Sequence, residues 1–105
     1  MITVADQKFI TNILMPRFKV KKLRIKWSVS TEKWPDIWVE KGRVPVITVT
    51  HEWSKQKVHE RRKRLVHEAL HITGLEHGKI GGLEYSTDPS KDSYSKKVYQ
   101  ELIGR

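Results

Sequence analysis

The chain has 105 residues, enough for one small domain with a modest core. It carries 21 Lys and Arg against 12 Asp and Glu, a net charge of +9. It has no cysteine, which excludes disulfides, thiolate metal sites and cysteine nucleophiles and fits a reducing compartment.

No apolar stretch approaches the ~18 residues that a membrane-spanning helix needs. Met1 to Lys8 lack the basic start and long apolar run of a signal peptide, so a cytoplasmic location is expected. One Asn and three Gln beside heavy charge usage hint at a thermophilic source. No repeat, linker or low-complexity block divides the chain.

The elements follow from periodicity. Phe9, Ile10, Ile13 and Leu14 recur as one helical face over residues 6–15, and Pro16 ends or kinks that helix. Leu23 to Val29 alternate apolar and polar residues, the period of a half-buried strand. Ile37-Trp38-Val39 is a short second strand, followed by a Gly42-Arg43 turn. Val44 to His51 form a third, β-branched strand, with Pro45 near its start, where an edge strand tolerates it.

Ser54 is a suitable N-cap for a helix from about Lys55 to Thr73, with Trp53 and Val58 at the positions of a hydrophobic staple. Val58, Leu65, Val66, Ala69, Leu70 and Ile72 supply its buried side. Gly78, Gly81 and Gly82 mark a loop, Asp88-Pro89-Ser90 a turn, and Tyr94 to Ile103 a short C-terminal helix. The expected fold class is α+β: an N-terminal helix, a three-stranded antiparallel or mixed sheet, a long helix, and a C-terminal tail with a short helix.

The long helix carries His67-Glu68-Ala69-Leu70-His71-Ile72-Thr73-Gly74-Leu75-Glu76-His77, the pattern HExxHxxGxxH. His67 and His71 are i and i+4, so they share one helix face with Cβ atoms about 5–6 Å apart. That spacing lets both imidazoles reach one Zn²⁺ at about 2.0–2.1 Å. Glu68 sits where a carboxylate can hydrogen-bond a zinc-bound water without ligating the metal. Gly74 can adopt φ > 0, end the helix and bring His77 in as third ligand. His51 and His59 read as structural or surface residues. The bland alternative is a His-rich, charged helix with an accidental motif.

Two basic runs stand out, Arg17 to Lys26 and Arg61 to Arg64. Each reads either as a surface for nucleic acid or another anionic partner, or as a solvated face in a chain rich in ion pairs. Trp27, Trp34, Trp38 and Trp53 lie in core-forming segments, where packing outweighs base stacking.

These residues resemble the zincin metallopeptidases, and the motif has the metzincin form. A metzincin would carry a methionine turn downstream, whereas Met1 and Met15 both lie upstream, and the archaeal branch with cysteine zinc sites is excluded. A gluzincin would take a downstream Glu as third ligand, and only Glu84 and Glu101 are placed for that. The chain is most similar to the minigluzincins, minimal peptidases of about this length with a helix and small sheet before the HExxH helix. The resemblance implies one metallopeptidase domain over 1–105, His67, His71 and His77 as ligands of one catalytic zinc, and Glu68 as base. It also implies that residues 84–105 can act as a regulatory tail, with Glu84, Asp88 or Asp92 reaching the open zinc position in a latent zymogen.

The expected function is therefore zinc-dependent hydrolysis of peptide bonds, the zinc-bound water activated by Glu68. Strand Val44–His51 is a candidate rim for pairing with an extended substrate. Tyr85, Tyr94 and Tyr99 follow the motif and read first as packing residues. Two alternatives remain: a zinc-dependent endoribonuclease and a non-catalytic, zinc-stabilised nucleic-acid-binding module. The bacterial ribosomal-RNA maturation family shares the three-His pattern but lacks the Glu after the first His, so Glu68 favours a peptide substrate.

Overall fold

Thr3 opens the first helix: its backbone is extended, and its hydroxyl accepts the Asp6 N–H at 3.1 Å, the N-cap arrangement. In the computed structural model, which describes residues 2–29, 36–74 and 93–104, the helix continues in three pieces. These are α1 (Val4–Phe9), a π-helical stretch (Ile10–Leu14) and α2 (Met15–Arg17). Pro16 explains the middle piece. Proline has no N–H, and its ring collides with the carbonyl four residues back. The helix widens there, and the Met15 N–H donates to the Ile10 carbonyl five residues back.

The wider turn changes which side chains face inward. Phe9, Ile10 and Leu14 are buried, but Ile13, expected on the same face, is 37% exposed. The helix closes on Lys19 in the left-handed conformation, φ 56°. The Lys19 N–H donates to Pro16 O at 3.2 Å and the Val20 N–H to Met15 O at 2.9 Å, the two bonds of a Schellman closure.

β1 (Arg24–Ser28), β2 (Ile37–Glu40) and β3 (Val46–Thr50) form a mixed sheet in the order β1-β3-β2. β1 runs parallel and β2 antiparallel to β3. The expected edge position of the third strand is corrected: β3 is central, and Ile47, Thr48, Val49 and Thr50 are all buried. Pro45 stays outside the paired residues and contributes only its carbonyl, which accepts the Arg24 N–H at 3.0 Å. With β1 and β2 on either side, β3 has no open edge for a substrate strand. That part of the expectation is overturned.

The expected helix from about Lys55 to Thr73 is α4 (Val58–Ile72), and a separate short helix, α3 (His51–Ser54), precedes it. Thr50 caps α3 by accepting the Trp53 N–H at 3.3 Å, while Ser54 donates to His51 O inside it. Lys57 is extended at the start of α4, so Ser54 is not a cap, and Val58, the first residue of α4, is 36% exposed rather than stapled. Arg61 fixes the corner between the helices. Its guanidinium donates to Gln56 O at 2.7 Å and to the Asp6 carboxylate at 3.1 Å. Trp53 is fully buried under this corner and donates its indole N–H to Arg61 O at 3.1 Å. Truncating such an anchor costs about 3–5 kcal/mol.

α5 (Ser93–Ile103) covers α4 from the other side. Ser95, Val98 and Tyr99 are buried, and the Tyr99 ring meets Phe9 edge-on at 6.0 Å. One core thus joins the N-terminal helix, the sheet, α4 and α5 in an α+β arrangement. Residues 93–104 of the expected regulatory tail belong to this core. Residues 84–92, with Glu84, Asp88 and Asp92, lie outside the described residues, as do Trp34, His77, Tyr85 and the glycines at 78, 81 and 82. Among the described residues no helix is long and apolar enough to cross a membrane.

Candidate metal centre

α4 is buried without a break from Arg64 to Leu70. An amphipathic surface helix would hide only one stripe; this one is covered around its circumference, so Arg64, His67 and Glu68 go inside together with Leu65, Val66, Ala69 and Leu70. Burial forces each polar group to find a partner or shift its ionisation.

The His67 ring is 1% exposed, and His71 is half-buried one turn later. Their Nε2 atoms lie 3.2 Å apart, with the rings nearly perpendicular at 81°. Two nitrogens bound tetrahedrally to one zinc at about 2.0–2.1 Å are themselves about 3.3 Å apart. The pair therefore has the spacing of two zinc ligands; without a metal, the same distance suits an N–H···N hydrogen bond. The other nitrogen of His67, Nδ1, lies 3.4 Å from the Ser95 hydroxyl on α5. That contact turns Nε2 toward His71, the orienting role that outer partners play for metal-binding histidines.

Gly74 has φ 103° and ends the helix turn, as the motif requires of it. His77 lies outside the described residues. Among the described residues no three His, Cys, Asp or Glu side chains gather into a metal-holding group. The fit to zinc thus rests on two imidazoles of the expected three.

Glu68 is 6% exposed, and among the described residues no hydrogen bond or ion pair holds its carboxyl. Burial raises its pKa from 4.5 to about 8, and the negative charge of Asp36 adds to the rise. In the metal-free protein the group is therefore largely protonated at neutral pH. A cation at the imidazole pair acts in the opposite sense and favours the carboxylate.

Asp36 enters the centre at the start of β2. Its carboxylate accepts from Arg64 at 2.6 Å, both side chains being 2% exposed. Its backbone carbonyl accepts the Thr50 hydroxyl at 2.7 Å and the Thr50 N–H at 3.1 Å, tying β2 to the end of β3. Neither Asp36 nor Ser95 was expected at the site. Ser95 has a readable signal: it lies on the apolar stripe of α5 with Val98, Tyr99 and Leu102, a small polar residue where a hydrophobic one would be usual. Asp36 follows Pro35 in a turn-like stretch and carries no such mark.

The other two described histidines are engaged elsewhere or face solvent. His51 is exposed, and His59 Nδ1 bonds the Tyr99 hydroxyl at 2.6 Å. Tyr99 is thereby engaged in the α4–α5 contact, and burial raises its pKa. Tyr94 is 36% exposed. Comparison of the chain with protein-family models, with curated proteins and with solved structures gives no match.

Proposed function

We propose that the protein is a zinc-dependent metallopeptidase in which His67 and His71 hold the ion through Nε2, with His77 as third ligand and Glu68 as catalytic base. The observation that carries this reading is the 3.2 Å approach of the two Nε2 atoms, with the buried Glu68 next to His67 in sequence. Zinc, when bound, supplies Lewis acidity toward a carbonyl and lowers the pKa of a coordinated water. The chain's own residues do the rest. The imidazoles stay neutral and oriented, Ser95 holding Nδ1 of the first. Glu68 takes a proton during attack on the peptide carbonyl and passes it to the leaving amine. Its nearly dry setting strengthens each of these electrostatic interactions.

The test uses the full chain, because a form cut after His77 would lose the buried residues of α5. Zinc-loaded protein and its Glu68→Gln variant are incubated with a mixed-peptide pool. The expected result is cleavage by the first and a fall of about 100-fold or more in the second. Equal cleavage by both would remove Glu68 from the mechanism. RNA cleavage without peptide cleavage would transfer the proposal to the endoribonuclease reading. Latency is a separate part of the proposal: neutralising Glu84, Asp88 and Asp92 together should raise activity, and an unchanged rate dismisses it.

A further inference from the structure

Beyond the C-terminal end of α4 the surface opens into a groove of about 490 Å³, within the ~300–1,000 Å³ span of ligand-binding clefts. It begins at Ile72 and Thr73, immediately after His71. Half-buried Phe18, Val20, Pro45 and Ile72 give it an apolar floor. Exposed Lys19, Lys21, Lys22 and Arg43 stand around that floor, and no carboxylate lines it among the described residues. Among the described residues none of these four cations makes an ion pair or a side-chain hydrogen bond. The groove therefore concentrates positive charge that no described acidic side chain answers.

Lys19 gives a second observation. It is the one non-glycine with positive φ among the described residues, at the closing position of a helix where glycine is the usual residue. The chain places a long cation at the groove in a conformation that an L side chain disfavours.

We propose that this groove binds an acidic, partly apolar stretch of the peptide substrate, holding it beside the His67–His71 pair. Carboxylates meet the lysines and Arg43, and aliphatic side chains lie on Phe18, Val20, Pro45 and Ile72. A nucleic acid fits less well. Its phosphates would use the cations but leave the aliphatic floor of Val20, Pro45 and Ile72 without a partner. The assignment as substrate rests on the peptidase reading; the binding itself does not.

The experiment measures fluorescence anisotropy of short labelled probes with the full-length Glu68→Gln chain, which binds without turning over. The probes are a peptide of alternating Glu and Leu, its Lys-for-Glu counterpart, and an oligouridylate. The acidic peptide should bind best. Lys21→Glu with Lys22→Glu should weaken it by about tenfold more than Lys8→Glu with Lys97→Glu, which makes the same charge change on exposed lysines outside the groove. Equal losses in the two pairs, or tighter binding of the oligouridylate, overturns the proposal. The native zinc-loaded chain then separates the two readings. Groove-dependent binding without cleavage leaves the groove and removes the peptidase. Glu68-dependent cleavage indifferent to acidic residues leaves the peptidase and removes the groove.

Discussion

The cations of Arg61 to Arg64 each meet a carboxylate, whereas Lys19, Lys21 and Lys22 of the other basic run meet none among the described residues. Arg61 and Arg62 lie 3.1 and 3.6 Å from Asp6, Lys63 2.8 Å from Glu60, and Arg64 2.6 Å from Asp36. Backbone geometry accounts for the difference. Successive helix residues point about 100° apart, so a run on α4 spreads its charges around the helix: Arg61 and Arg62 share Asp6, while Lys63 and Arg64 reach Glu60 and Asp36. Lys19 closes its helix in the left-handed conformation, and Lys21 and Lys22 follow outside any helix or strand, so the three lysines stand exposed together at one groove. Equal charge density in sequence thus becomes internal bracing in one place and an outward field in the other.

The largest effect expected from this contrast is at Asp36. Asp36→Asn keeps the shape and the backbone bonds to Thr50 but leaves Arg64 charged at 2% exposure. Breaking a buried pair in this way costs about 3–5 kcal/mol. Lys63→Ala, which breaks a pair 16% and 35% exposed, should cost less than about 1 kcal/mol. Urea denaturation at neutral pH measures both. Similar costs for the two variants would mean that burial does not separate the pairs as argued.

Asp36 also acts on Glu68, which gives a prediction for pH. The pKa of Glu68 is about 8 in the folded, metal-free protein against 4.5 in the unfolded chain. The contribution is fully present below pH 4.5. It is lost as the unfolded chain ionises and the folded one does not, until pH passes about 8. Relative to Glu68→Gln, the native chain should therefore lose stability across that window, by on the order of 5 kcal/mol in total. Adding zinc should flatten the slope, because a nearby cation lowers the folded pKa. A slope the same in both proteins would show that Glu68 ionises freely and that its carboxyl is not held in a dry site.

Much of this arrangement was legible before any coordinates. Alternation located β1, the short apolar run Ile37-Trp38-Val39 located β2, the β-branched run located β3, and the expected helices over 55–73 and 94–103 fall on α4 and α5 to within a few residues. Local chemistry misled where two readings shared the same residues. Thr50 and Ser54 are both good caps, and only the Thr50 side chain, fixed between Asp36 O and the Trp53 N–H, is placed to act as one. Pro45 marked an edge only on the assumption that it lay inside the strand. The surroundings of the metal pair were least legible. Asp36 is 28 residues from Arg64 and Ser95 is 28 residues from His67, and no periodicity connects positions that far apart. The motif proposed His67, Glu68 and His71 as a unit; the burial that shifts Glu68 comes from β2 and from the wrapping of α4.

The smallest expected effect is at Lys19, where the outward run can be tested against its own backbone. Left-handed φ costs an L residue about 1 kcal/mol or more, a cost glycine does not carry. Lys19→Gly should therefore raise stability by about 1 kcal/mol, partly offset by the greater freedom of glycine in the unfolded chain. Lys19→Ala retains the unfavourable backbone and should gain nothing. Both variants remove the same charge from the groove, so both should weaken binding of the acidic Glu-Leu peptide to a similar degree. Thermal melting separates glycine from alanine, and anisotropy does not. If glycine stabilises the fold without weakening the peptide complex, the lysine is incidental to the groove, and the outward field belongs to Lys21, Lys22 and Arg43 alone. If both variants weaken binding while only glycine stabilises, the chain keeps a less stable turn for the charge that it presents.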